Sequence, residues 1–292
     1  MELLIDIFMD ALIDSIKLLP FLFITYLIME YIEHKTNKKT EKLIKKSGKF
    51  GPFIGGVFGI FPQCGFSAAA SNLYANKLIS IGTLIAIFLS TSDEMLPIFI
   101  SESVEITVIL KILFIKLIVA ILFGFLIDFV INNFFKKKSD NSIESNEEIS
   151  HMCEHEHCGC ENGILLSSIK HTLNIFIYIF IVTFVINGLF ELVGEDTISN
   201  IITNIPLLGP IIAGLIGLIP NCASSVVLTQ LYLSGSITVA TLLSGLLVGS
   251  GVGILVLFKS NQDLKDNIKI ISLLYIIGVF VGIFFELIGL KI

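Results

Sequence analysis

"GPFIGGVFGIFPQCGFSAAASNLY", Gly51 to Tyr74, returns as "GPIIAGLIGLIPNCASSVVLTQLY", Gly209 to Tyr232, without a gap and with a Pro-(Gln/Asn)-Cys step in register. The same offset holds outside the motif, placing Thr25 on Thr183, Glu33 on Glu191, Gly124 on Gly282 and Asp128 on Glu286. Fifteen of the 46 positions from Gly51 to Leu96 are identical under it, where shared apolar composition alone gives roughly a tenth. The chain is therefore two homologous halves, residues 1–132 and 168–292, joined by a linker at 133–167.

Composition says where these halves reside. Of 292 residues 54% are hydrophobic, 24 are Phe, only 15% are charged, and the mean hydropathy is +0.90. Runs this apolar must face lipid, which excludes a soluble globule. Polar residues gather at 33–49, 136–161 and 259–269. Glu2, Asp6, Asp10 and Asp14 precede the first apolar run, so the positive start of a cleaved signal peptide is missing. The last three lie four apart and form an acidic stripe opposite Leu4, Ile7, Phe8 and Ala11, which predicts a short interfacial helix leading into the first span.

Lysines set the expected topology. Lys35, Lys38, Lys39, Lys42, Lys45, Lys46 and Lys49 follow the first span and place that loop in the cytoplasm, whereas its counterpart, Glu191 to Pro210, is acidic and lysine-free. Copies of one unit with opposite charge bias indicate an inverted repeat about an axis in the membrane plane. Lys136, Lys137, Lys138 and Lys170 put the linker inside, and both termini are expected outside. The fold class is all-α integral membrane, each half holding about five membrane segments with broken or re-entrant helices. The expected segments are 10–32, 51–61, 63–76, 78–100 and 106–132, then 168–190, 209–219, 221–234, 236–258 and 268–290. Pro62 and the run "STSDEMLP" at Ser90 to Pro97 mark the breaks.

Non-helical backbone survives at membrane depth only where protein or a water-lined cavity satisfies its N–H and C=O groups, and paired breaks mark substrate sites in inverted-repeat carriers. Cys64 and Cys222 sit in the breaks beside Gln63 and Asn221 and three residues before Ser67 and Ser225. Sulfur pairs with nearby amide and hydroxyl oxygens suit thiophilic metals or metalloids; a small apolar Cys in a tight turn is the plainer reading. Asp93 and Glu94, among Ser90, Thr91 and Ser92, offer oxygen ligands for a manganese-like cation or a place for a coupling proton, or else a solvated interfacial pair. Their counterparts, Gly251 and Val252, stand beside Ser250 in "GSGVG", where Gly249, Gly251 and Gly253 permit close backbone approach. Asn72 and Gln230 line a route to the surface or tie helices together. Lys111 and Lys116 are expected to snorkel or pair locally, and Asp128 and Glu286 to lie at headgroup level or in packing.

The linker carries "HMCEHEHCGCE", whose His151, Cys153, His155, His157, Cys158 and Cys160 form a dense metal-binding set without zinc-finger spacing. A flexible metal-gathering segment is expected there.

The paired breaks at Pro62 to Cys64 and Pro220 to Cys222, "LSTSDEMLP" at Leu89 to Pro97, "LLVGSGVG" at Leu246 to Gly253 and the His/Cys-rich linker resemble the ten-transmembrane heavy-metal exporters, a family labelled arsenic-efflux-permease-like or manganese transporter. The resemblance spans nearly the whole chain. It implies export of a heavy metal or metalloid through ten segments of a bacterial or archaeal cell membrane.

The expected function is thus a secondary transporter exporting a manganese-like divalent cation or arsenite by alternating access. A carrier for an anion or small organic solute is the alternative, since half-helix N-termini favour negative charge. No P-loop occurs. Neither break holds a histidine to serve Cys64 or Ser67 as base, so an enzyme is not expected. The partners are the lipid bilayer, the metal ion as substrate and protons as coupling ion; no cofactor or nucleic acid is expected, and the oligomeric state stays open.

Overall fold

The computed structural model describes residues 2–35, 50–61, 64–92, 94–134, 164–193 and 208–290. Among these every regular element is a helix and no strand occurs. The first half contributes α1 (Glu2–Lys35), α2 (Gly51–Gly59), α3 (Cys64–Ala75), α4 (Ile81–Ser90), α5 (Met95–Ser101) and α6 (Ile106–Phe134). The second contributes α7 (Ile164–Val193), α8 (Gly209–Gly217), α9 (Cys222–Leu233), α10 (Val239–Val248), α11 (Gly253–Ser260) and α12 (Leu264–Ile288). The 158-residue offset carries α2, α3 and α4 onto α8, α9 and α10 at both ends.

Two expectations are adjusted. The separate interfacial helix at the N-terminus is absent: Glu2–Lys35 is one helix running through Pro20. The apolar residues that follow its acidic stripe continue the helical pattern, and Pro20 does not end it. The break expected at Ser90 to Pro97 falls between α4 and α5, where Thr91 turns to an extended ψ of 131°, and the expected segment 236–258 also divides in two, because Gly249 at the end of α10 turns to 95°.

Packing repeats with the sequence. α2 lies on α4 and α4 on α6; α8 lies on α10 and α10 on α12. The halves join where α1 meets α7, α4 meets α10, and α3 meets α11. Among the described residues five helical stretches are long and apolar enough to cross a membrane: Ile81–Ser101, Ile106–Ile131, Ser168–Gly188, Val239–Ser260 and Leu264–Ile288. The broken ones are central, since 83% of the Val239–Ser260 window is buried against 28% of that in Ile106–Ile131. The peripheral α6 turns Ile106, Leu110, Phe114, Ile118, Leu122, Phe125 and Phe129 outward at three- and four-residue spacing. An exposed apolar stripe of that length is a lipid-facing surface.

Polar caps hold the central helices in place. Ser80 and Thr238 occupy equivalent N-caps of α4 and α10 and accept from Thr83 N and Thr241 N. Each hydroxyl also donates to a carboxylate of the last helix in its half, Ser80 to Asp128 at 2.6 Å and Thr238 to Glu286 at 2.6 Å. The corresponding acids thus have a packing role, one of the two readings that the sequence left open.

The short helices approach their neighbours closely. A Cβ on Gly217 would stand 2.3 Å from the backbone oxygen of Gly245, so neither partner can yield without moving a helix. Gly217→Ala is expected to destabilise the protein by about 1–3 kcal/mol, read as a lowered thermal midpoint in detergent; an unchanged midpoint would show that α8 and α10 do not touch here.

Candidate functional site

The two breaks bring two helix starts face to face. Cys64 is the first residue of α3 and Cys222 the first of α9, and their sulfurs lie 3.6 Å apart. Neither is part of a disulfide, and both are half-buried. Asn221 caps α9 by accepting from Ser224 N, and its amide donates to Asn187 of α7 at 3.2 Å. Helix starts carry partial positive charge, which favours anionic groups placed there.

Glu94 completes the cluster. It enters from the segment between α4 and α5, and one carboxylate oxygen and the two sulfurs all lie within 4.8 Å of one another. The group is half-buried, and it is the set of three ligating side chains that the described residues bring together. Two soft donors and one hard donor around a gap of this size can share one cation.

The other candidates take supporting positions. Ser67 and Ser225 donate to the carbonyls of Cys64 and Cys222 at 2.8 and 2.9 Å, so their hydroxyls brace the first turns behind the sulfurs. Ser92 is buried and donates to Ser90 O at 3.2 Å. Its counterpart Ser250 is fully buried, and its hydroxyl has no hydrogen-bond partner among the described residues. Asn72 accepts from Tyr26 of α1 at 3.2 Å and from Ser260 of α11 at 2.5 Å, which makes it a tie between three helices. Gln230 is exposed and is not brought to the cluster. Gln63, Asp93 and the linker set of His151, Cys153, His155, His157, Cys158 and Cys160 lie outside the described residues.

Glycine supplies the expected close approach at Gly253. Ser71 donates to Gly253 O at 2.7 Å, and a Cβ there would meet Ser67 Cβ at 2.8 Å. This contact seats α3 on α11 and fixes where Cys64 starts.

One residue near the breaks behaves differently from its expectation. Lys116 does not snorkel: it is fully buried in α6, and its ammonium donates to the carbonyls of Thr91 and of Leu246, the latter at 3.0 Å. It lies ten residues into α6, roughly 15 Å from the helix start, too deep for its stem to reach water. That depth was readable from the sequence, as was its replacement by Leu274 in the second half. Lys111, one and a half turns earlier, is exposed.

A sequence model of the family described as "Putative, 10TM heavy-metal exporter" matches residues 2–190. No curated protein and no solved structure matches the chain.

The sulfur separation has a direct test. Mild oxidation is expected to join Cys64 and Cys222 within one chain, seen as a loss of roughly two mass units on the peptide pair and loss of maleimide labelling at both. Equal labelling before and after oxidation would place the thiols apart.

Proposed function

Because the chain belongs to the ten-transmembrane heavy-metal exporter family, matched over residues 2–190, we propose that it exports a thiophilic heavy-metal cation or metalloid held between Cys64, Cys222 and Glu94. The observation that carries the reading is the convergence of these three donors within 4.8 Å. Two thiolates about 2.3 Å from a tetrahedral ion lie about 3.8 Å apart, close to the 3.6 Å found here. Two sulfurs favour soft and borderline ions over Mn²⁺, which prefers oxygen. A zinc- or cadmium-like cation or arsenite therefore suits the pair better than manganese does. Asp93, next to Glu94 in sequence, would add a second carboxylate to the approach.

In this proposal the halves are inverted with respect to the membrane, as their opposite lysine bias supports. The site then lies where α3 and α9 start, at the pseudo-axis, and rocking of one half against the other opens it to each side in turn. Cytoplasmic metal binds as the thiols release protons, since the thiolate is the ligand. Protons returning from outside free the metal, so the exchange of metal for protons needs no further cofactor. The linker histidines and cysteines gather metal on the cytoplasmic side.

Right-side-out and inside-out vesicles loaded with Zn²⁺, Cd²⁺, Mn²⁺ or arsenite test this reading. Cys64→Ser and Cys222→Ser are each expected to lower transport of the preferred ion at least tenfold, with Glu94→Gln lowering it similarly. Transport unaffected by either cysteine change, or directed inward in cells, would overturn it. Impermeant labelling of cysteines added at each terminus and in the linker checks the orientation; label on the linker and on a terminus alike in intact cells would refute the inversion.

A further inference from the structure

Lys116 has no role in the exchange just described, yet it is placed with care. Its ammonium is fully buried and bridges the two halves, donating to Thr91 O at the end of α4 and to Leu246 O in the last turn of α10. Both carbonyls belong to helix ends that stop at a break, where the last four C=O groups lack intrahelical partners. The partial negative charge of two helix C-termini meets at this point. In broken-helix carriers, backbone oxygens of this kind, at unwound segments and half-helix C-terminal ends, are the ligands of the mobile coupling cation.

We infer that Lys116 is a tethered cation occupying a coupling-ion site built from the carbonyls of Thr91 and Leu246. The inference rests on the reading of the chain as an ion carrier, and goes beyond it by assigning a second cation site distinct from the thiol pair. A fixed ammonium supplies permanently the charge that a monovalent ion would otherwise bring and take away. Transport then proceeds without Na⁺ or K⁺.

The asymmetry of the repeats supports this. The position equivalent to Lys116 is Leu274, a fully buried core residue, and the positions equivalent to Asp93 and Glu94 are Gly251 and Val252. Lysine and the acidic pair therefore occur in the same half and are missing from the same half. The cation balances the charge that the first half brings to the centre, and the second half, carrying neither, fills the space with apolar side chains.

Removing the tether should leave an oxygen-lined hole that accepts a free cation. The full chain in detergent, as wild type, Lys116→Ala and Lys116→Ser, is compared in NaCl and in choline chloride at equal ionic strength. Na⁺ is expected to raise the thermal midpoint of both variants by about 2–4 °C, the shift given by roughly tenfold excess over a dissociation constant in a chain of this size. The wild type should not respond. In vesicles the wild type should carry metal equally in Na⁺ and in choline, and the variants should recover transport only in Na⁺. Lys116→Met, which fills the space without charge, should lose at least tenfold under both conditions. The proposal is overturned if neither Ala nor Ser variant responds to Na⁺, if neither can be recovered folded in Na⁺, if the wild type needs Na⁺, or if the Met variant carries metal as well as the wild type. The midpoint measurement does not involve transport, so it decides on the cation site even where the exporter reading fails.

Discussion

Backbone that leaves a helix inside an apolar layer must find other partners for its N–H and C=O groups, and most of this architecture follows from meeting that demand at four places. Helices start at Cys64 and Cys222 and stop at Ser90 and Val248. Three of these places have a polar partner among the described residues: Asn221 caps the start of α9, Lys116 serves Thr91 and Leu246, and Ser71 serves Gly253. An unsatisfied polar group in such surroundings costs several kcal/mol, so breaks and partners stand or fall together.

Much of the plan was legible because duplication leaves a record that composition cannot imitate. The offset found in Gly51 to Tyr74 carries helix boundaries with it, so that the bounds of α2, α3 and α4 recur residue for residue in α8, α9 and α10. The register of Cys64 with Cys222 is a sequence fact, and the two sulfurs lie 3.6 Å apart. The sequence was less informative where single residues depart from the repeat. Lys116 is expected to snorkel or pair locally because a lone lysine in an apolar helix ordinarily reaches for water or a near neighbour; the carbonyls that hold it come from residues 25 and 130 positions away. The division of labour between Asx and Ser residues was also hidden, since an amide can tie helices, as Asn72 does, or cap one, as Asn221 does, with no local signal to separate the two.

The site combines what the repeats share with what they do not. Both sulfurs come from the common motif, and the carboxylate comes from one half only. A cluster of equivalent groups alone would present the same face to either side of an axis. Glu94 gives this one a direction.

Lys116 also bears on how such a chain could arise. A single half pairing with its own copy would carry any lysine at position 116 twice, burying two ammonium groups at a penalty of several kcal/mol each. Joining the copies into one polypeptide lifts that restriction, because each can be changed without changing the other. Leu274 opposite Lys116 is a change of that sort, one that no symmetric ancestor assembled from identical halves could have held.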